Sequence, residues 1–327
     1  MTAITYLDAI SQAMREEMRR DEAVFLLGED VGTYGGAFKV SAGFMEEFGP
    51  ERVIDTPMSE AAIIGSAVGA ALMGMRPIAE MQYIDFITCG FDQIINMASK
   101  MYWRVGMPVP MVIRGPAGGG TKGGPFHSGS PESWFFHTPG IKVVVPSTTY
   151  DAKGMLKAAI RDNNPVLFLE HKLLYRQPEL REELPEDDYI VPLGKAIVRR
   201  EGDDMTILTY GAMVYQCLKA AKWLEEEDDL TIEVVDLRSL SPLDRETITT
   251  SVKHTNKVLI VHEDTLTGGI GAELAALLGE ELFEYLDGPI TRVAAPDAPF
   301  PYAPALEAAF LPNAEKIITA ARKLAAY

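Results

Sequence analysis

Three short segments carry side chains able to do chemistry, and each follows a run that reads as a β-strand. In Asp55-Thr56-Pro57-Met58-Ser59-Glu60 a carboxylate opens an Ala/Gly-rich helix. Unpaired amides and the helix dipole stabilise negative charge at that point. Two readings of Glu60 follow: a functional carboxylate on a ligand edge, or a first-turn charge behind a Ser59 N-cap. The helix behind it sets Ala61, Gly65 and Gly69 at four-residue spacing, and each glycine costs about 1 kcal/mol relative to alanine. A tightly apposed helix at a subunit interface and ordinary packing on the sheet are the two explanations of that bare stripe.

The second segment, Glu80-Met81-Gln82-Tyr83-Ile84-Asp85-Phe86, mixes carboxylate, amide and aromatic groups. Phe86 can be a platform for a flat heterocycle or a core ring. The third runs from Arg114 through Gly118-Gly119-Gly120-Thr121-Lys122-Gly123-Gly124 to Glu132. Its glycines and prolines predict a long surface loop, a common place for function. It is not a Walker loop, because glycine follows Lys122. His127, among polar neighbours, is the candidate for acid/base work, since imidazole titrates near neutral pH. The histidines at 137, 171, 254 and 262 have no recognisable partners and are read as structural. The turn Gly268-Gly269-Ile270-Gly271 fails as a dinucleotide fingerprint, with its glycines too far from the preceding strand and Leu274 where a small residue is needed.

The elements that must position these residues alternate between strand and helix, the pattern of βαβ units on a mainly parallel sheet. Strands are predicted at 24–27, 52–55, 77–81, 109–114, 141–145 and 166–169, with helices over the first 20 residues and at 60–75, 91–101 and 151–161. A charged, proline-containing stretch interrupts this, and the alternation then resumes with strands at 205–209, 231–236, 257–261 and 291–293 and helices at 212–225, 245–252, 271–282 and 313–325. The fold class is therefore α/β with two domains, each a mainly parallel sheet flanked by helices: 1–175, a linker at 176–193, and 194–327. In such sheets ligands bind beyond the carboxyl ends of the strands, which is where all three segments emerge.

Bulk properties narrow the class. The chain has 327 residues, 47% of them hydrophobic, and a formal charge of −17 spread evenly along its length. Without a basic face to neutralise phosphates, nucleic acid and anionic membranes are set aside as partners. Cys89 and Cys217 show no metal or disulfide spacing. The N-terminus reads as an amphipathic helix with Leu7, Ile10, Met14 and Met18 on one face, not as a cleavable signal. The most apolar run, 61–75, is short of the roughly 20 residues that span a bilayer. A reducing, cytoplasmic location is expected.

The order of several strings over nearly the whole chain resembles the beta subunits of the decarboxylating first component of 2-oxo acid dehydrogenase complexes. They include Leu27-Gly-Glu-Asp-Val-Gly, Asp55-Thr-Pro-Met-Ser-Glu, Gly74-Met-Arg-Pro-Ile-Ala-Glu, Phe91-Asp-Gln, Tyr150-Asp-Ala-Lys-Gly, Ala159-Ile-Arg-Asp-Asn-Asn-Pro-Val and Val235-Asp-Leu-Arg-Ser-Leu-Ser-Pro-Leu-Asp. The resemblance implies a thiamine-diphosphate-binding pyrimidine domain followed by a transketolase C-terminal domain. It implies that Glu60 hydrogen-bonds the pyrimidine ring nitrogen, Phe86 stacks on that ring, Gln82 lines the pocket, and His127 faces substrate or lipoyl. It also implies a structural potassium site at Met111, Ala159, Ile160, Asp162 and Asn164, against which an Asx-type turn is the plain alternative. The Gly-Asp-Gly string that marks the magnesium–diphosphate half in this superfamily does not occur. An alpha subunit is thus expected to hold Mg2+ and the phosphates in a two-alpha, two-beta heterotetramer, with acyl transfer to a lipoyl-bearing acyltransferase. Pyruvate is the expected substrate, with branched-chain 2-oxo acid or acetoin dehydrogenase subunits as alternatives. Two readings from other classes are a nicotinamide-dependent dehydrogenase using the 268–271 turn and a non-catalytic assembly subunit docking through Gly65 and Gly69.

Overall fold

The computed structural model describes residues 3–327. The chain divides into two compact units. One takes the chain up to Ala117 and again Trp134–Leu193, and the other takes Gly118–Ser133 together with Gly194–Tyr327. The glycine-rich segment, counted with the first domain on sequence alone, thus packs within the second unit.

In the first part of the chain, strands β1 (Val24–Gly28), β2 (Val53–Asp55), β3 (Arg76–Glu80), β4 (Val112–Ala117), β5 (Lys142–Val144) and β6 (Val166–His171) alternate with helices. These are α1 (Tyr6–Arg20), α2 (Phe44–Phe48), α3 (Glu60–Leu72), α4 (Met101–Val105), α5 (Glu132–Phe136) and α6 (Thr149–Arg161). The strands of the first unit run parallel in the order β5-β6-β4-β3-β1-β2. β1, β4 and β6 are buried at every position, as expected of parallel strands covered on both faces. Helix α1 starts at a reciprocal capping box in which Thr5 and Asp8 each accept the other's backbone N–H at 3.1 Å. Its face of Leu7, Ile10, Met14 and Met18 is buried, and it packs along α6. Each such side chain contributes roughly 1.5–3 kcal/mol by leaving water.

The second unit contains β7 (Ile197–Arg200), β8 (Met205–Thr209), β9 (Ile232–Asp236), β10 (Ser239–Ser241), β11 (Val258–Thr265) and β12 (Thr291–Ala295). Its helices are α7 (Met213–Asp228), α8 (Arg245–Thr255), α9 (Ile270–Leu282), α10 (Pro304–Phe310) and α11 (Ala314–Ala325). A five-stranded sheet has the order β12-β11-β8-β9-β7, parallel except for the β7–β9 pair. The sequence reading missed β7, whose four residues, half-buried and ending in two arginines, carry no strand pattern.

Two local expectations change. The single helix predicted at 91–101 is instead a π-helix over Gln93–Ala98 followed by the short α4, and a 3-10 turn over Ile84–Gly90 precedes it. The wider turn is closed by the Ser99 N–H donating to the Ile94 carbonyl at 3.0 Å. The stretch predicted as an unstructured linker holds a 3-10 turn at Pro178–Leu180 and is tied to the N-terminus by the Ile4–Glu182 backbone pair at 3.0 and 3.1 Å. Among the described residues, no helix is long and apolar enough to cross a membrane.

Candidate active site

Strand register in the first unit sets a row of residues at the carboxyl edge of the sheet. Gly28 lies opposite both Asp55 and Glu80, and Glu80 lies opposite Arg114. The residues that follow this row are Glu29 and Asp30 after β1, Thr56 to Glu60 after β2, and Met81 to Phe86 after β3. Parallel pairing alone therefore gathers Glu60, Gln82 and Phe86 on one edge.

Glu60 is half-buried in the first turn of α3, and the Ser59 side chain makes no capping bond to that turn. The plain reading of Glu60 as a charge behind a Ser59 cap thus loses its cap. Its charge is felt by a neighbour instead: the Glu29 carboxyl is raised above the ordinary carboxylate range, first by burial and then by the negative charges of Glu60 and Asp30. Asp30 has a left-handed backbone, φ 57°, and its Oδ2 accepts the Gln82 amide at 3.4 Å. Three acids and one amide so converge where β1, β2 and β3 end.

Phe86, half-buried, sits in the 3-10 turn over Ile84–Gly90, with its N–H donating to the Tyr83 carbonyl at 3.2 Å. That turn lies against the start of α3, because a Cβ at Gly90 would come within 3.2 Å of the Glu60 carbonyl and within 2.3 Å of Ile64. Gly65 faces the Gln93 side chain of the π-helix, whereas a Cβ at Gly69 would meet nothing within 4 Å and that position is exposed. Packing therefore accounts for one of the two glycines of the stripe, Gly65, and not for Gly69.

Beneath the edge lies a buried ionic cluster. The Arg114 guanidinium donates to Glu80 and, through Nε and Nη2, to both oxygens of Glu170, which also accepts the Tyr175 hydroxyl at 2.6 Å. Burial pushes the Glu80 carboxyl up against the pull of Arg114, and burial with the charge of Glu170 pushes the Tyr175 phenol well above its ordinary range. The cluster ties the ends of β3 and β6 to the middle of β4, and so holds the strand from which Gln82 and Phe86 emerge.

His127, half-buried, belongs to the second unit, with its N–H 3.4 Å from the Gly124 carbonyl, whereas Glu60, Gln82 and Phe86 belong to the first. The five residues of the implied potassium site lie around the end of α6. The Met111 carbonyl accepts the Val166 N–H at 3.0 Å and the Ala159 carbonyl the Asp162 N–H at 3.2 Å. The Ile160 and Asp162 carbonyls accept Arg76 Nη1 at 3.0 and 2.9 Å. The Asp162 carboxylate pairs with Lys142 and accepts the Asn164 N–H at 2.8 Å, which is the Asx turn considered on sequence alone. Among the described residues, no group of three or more His, Cys, Asp or Glu side chains is arranged to hold a metal ion.

Glu29 and Asp30 are the residues that sequence reasoning missed. Their signal was position: they directly follow β1 on the ligand edge, inside the Leu27-Gly-Glu-Asp string. The donor set fits the pyrimidine end of thiamine diphosphate: a carboxylate at a helix start, a half-buried aromatic ring, and an amide.

Comparison with known proteins identifies the domains and the family. The model of the transketolase pyrimidine binding domain matches residues 2–178, and that of the transketolase C-terminal domain matches 194–317. The chain is 52% identical to the 2-oxoisovalerate dehydrogenase subunit beta of Bacillus subtilis, covering 100% of both chains. It is 46% identical to that organism's pyruvate dehydrogenase E1 component subunit beta, covering 99% of each. It is also 46% identical to the mitochondrial pyruvate dehydrogenase E1 beta subunit of Caenorhabditis elegans, covering 98% of this chain and 92% of the other. A solved split-gene transketolase, an inactive beta4 tetramer, shares the fold at TM-score 0.81 and 24% identity over 99% of each chain. The chain therefore belongs to the family of 2-oxo acid dehydrogenase E1 beta subunits, built from transketolase pyrimidine-binding and C-terminal domains.

Proposed function

We propose that this beta subunit supplies the pyrimidine half of a thiamine diphosphate site and, with an alpha subunit, decarboxylates a 2-oxo acid oxidatively. The observation that carries the reading is the convergence of Glu60, Glu29, Asp30 and Gln82 at the ends of β1, β2 and β3, with Phe86 beside them. When bound, the coenzyme supplies the electron sink for carbon dioxide loss. Glu60 would hold or pass a proton at the pyrimidine ring nitrogen, and the charge that Glu29 senses is the same charge that would attract that proton. Phe86 would give the ring a flat apolar face and Gln82 would line the pocket. His127 would face substrate or lipoyl during transfer of the acyl group to a lipoyl-bearing acyltransferase.

Magnesium and the diphosphate would be held by the alpha subunit, in a two-alpha, two-beta assembly. Potassium would lie at Met111, Ala159, Ile160, Asp162 and Asn164, using oxygen lone pairs left by the Arg76 and Lys142 contacts. A rise in melting temperature in potassium over choline at equal ionic strength supports that site, and an unchanged value removes it. For the substrate, the 52% identity to a protein named for 2-oxoisovalerate favours a branched-chain 2-oxo acid. Pyruvate, expected from the sequence, keeps its support from relatives at 46% identity. Steady-state decarboxylation by the assembled pair with 3-methyl-2-oxobutanoate and pyruvate in parallel decides between them. A higher kcat/KM for pyruvate would overturn the branched-chain preference.

A further inference from the structure

The glycine-rich segment is a closed loop whose amides are taken up by buried carboxylates of its own unit. The Gly118 N–H donates to the Gly129 carbonyl at 2.9 Å and ties the loop at its base. On the outgoing limb, the Gly119 N–H donates to Glu263 Oε1 at 2.5 Å, and the Gly120 and Lys122 N–H groups both donate to Glu307 Oε1, at 3.0 and 3.2 Å. Both acids are buried, Glu263 on β11 and Glu307 on α10. Two aromatic rings press on the same limb, since a Cβ at Gly119 would stand 2.2 Å from the Phe300 ring and one at Gly124 2.2 Å from the Tyr302 ring. Beyond the loop, Ser133 donates to Asp264 at 2.7 Å and Tyr210 to Glu132 at 2.7 Å.

Successive amides converging on one point form a concavity that ordinarily takes an anion. Here the protein's own carboxylates fill it. Charge-assisted hydrogen bonds are roughly twice as strong as neutral ones, and those to Glu307 hold Lys122 in a left-handed conformation, φ 62°, that its side chain disfavours. The turn that follows, over Gly123 and Gly124, leads directly into His127. Gly123 lies so close that a Cβ there would be 2.6 Å from the His127 carbonyl. The conformation fixed at Glu307 thus sets the backbone from which the imidazole projects.

We propose that Glu307, assisted by Glu263, is a positioning residue for His127: the carboxylates of the C-terminal domain clamp the glycine-rich loop and so set the imidazole for its step. This rests on the reading that His127 faces substrate or lipoyl. The test compares wild type, Glu307→Ala, Glu307→Gln, His127→Ala and the Glu307→Ala/His127→Ala pair in the complete alpha–beta assembly. Turnover is followed with 3-methyl-2-oxobutanoate and pyruvate, and amide hydrogen exchange over residues 118–129. Glu307→Ala is expected to lower kcat roughly 10- to 100-fold, the scale of a displaced reacting group, with the apparent affinity for thiamine diphosphate unchanged. Exchange at Gly119 to Lys122 should quicken, and Glu307→Gln, which keeps an acceptor oxygen, should recover most of the rate. Adding Glu307→Ala to His127→Ala should lower the rate little further. Should Glu307→Ala not assemble, Glu307→Asp, which withdraws the acceptor by one methylene, is read in the same way. Wild-type turnover or unchanged loop exchange in the Glu307 variant overturns the clamp while His127→Ala stays slow. Wild-type turnover in His127→Ala overturns the reading of His127 instead, and the positioning role with it.

Discussion

At the scale of single residues, charge and burial decide what each acid or base can do. Glu60 lacks a serine cap and shares its surroundings with Glu29 and Asp30, so negative charge is concentrated where a basic ring nitrogen would be welcome. His262 shows the opposite case. It is fully buried in β11, and burial and the nearby Arg292 lower its pKa to about 4, against the opposing pull of a hydrogen bond with the Asp264 backbone. A folded pKa below the unfolded value of about 6.5 means that unfolding takes up a proton between those two values. Stability should therefore be intact above pH 6.5 and fall as the pH drops towards 4, by up to roughly 3 kcal/mol from this one group. Urea unfolding at pH 7, 6 and 5 checks this: His262→Leu should flatten the pH dependence relative to wild type, and equal slopes in both proteins contradict it.

At the scale of elements, the cluster of Arg114 with Glu80, Glu170 and Tyr175 shows how strand ends are fixed. Removing the one cation leaves two buried carboxyl groups facing each other. Arg114→Met is expected to destabilise the chain by roughly 3–5 kcal/mol, as breaking a buried ion pair does, read as a lower urea midpoint at unchanged slope. A loss below about 1 kcal/mol would show that water or rearrangement compensates. Most strands and long helices were legible because hydrophobic runs and turn residues report them locally: β8, β9, β11, α6 and α11 lie within a few residues of expectation. The π-helix over Gln93–Ala98 was not, because helical periodicity does not distinguish a wider turn from an ordinary one. Nor was the loop's membership in the second unit. The acids that hold it, Glu263 and Glu307, are 144 and 187 residues from their amide partners, a pairing only the tertiary fold creates. The placement of Glu60, Gln82 and Phe86 at one edge was legible because parallel topology fixes the edge on which strands end. Glu29 was not singled out, since its significance depends on the charge of Glu60, which only the tertiary fold brings near it from the start of α3.

At the scale of the whole molecule, the chain lacks a Gly-Asp-Gly motif, and it matches E1 beta subunits along essentially their full length. The isolated chain is expected to release no carbon dioxide from either 2-oxo acid and to gain activity when an alpha subunit carrying that motif is added. Equal activity with and without alpha would contradict the division of labour. A fluorescence titration with NADH should show no binding, which separates this account from a nicotinamide enzyme built on the 268–271 turn. The most direct test of the central claim is decarboxylation by the alpha–beta assembly with Glu60→Gln at saturating thiamine diphosphate, with the oligomer confirmed by light scattering. The predicted result is an intact assembly whose rate has fallen at least roughly a hundredfold, the scale of a lost acid/base group. An intact assembly turning over at the wild-type rate would contradict it.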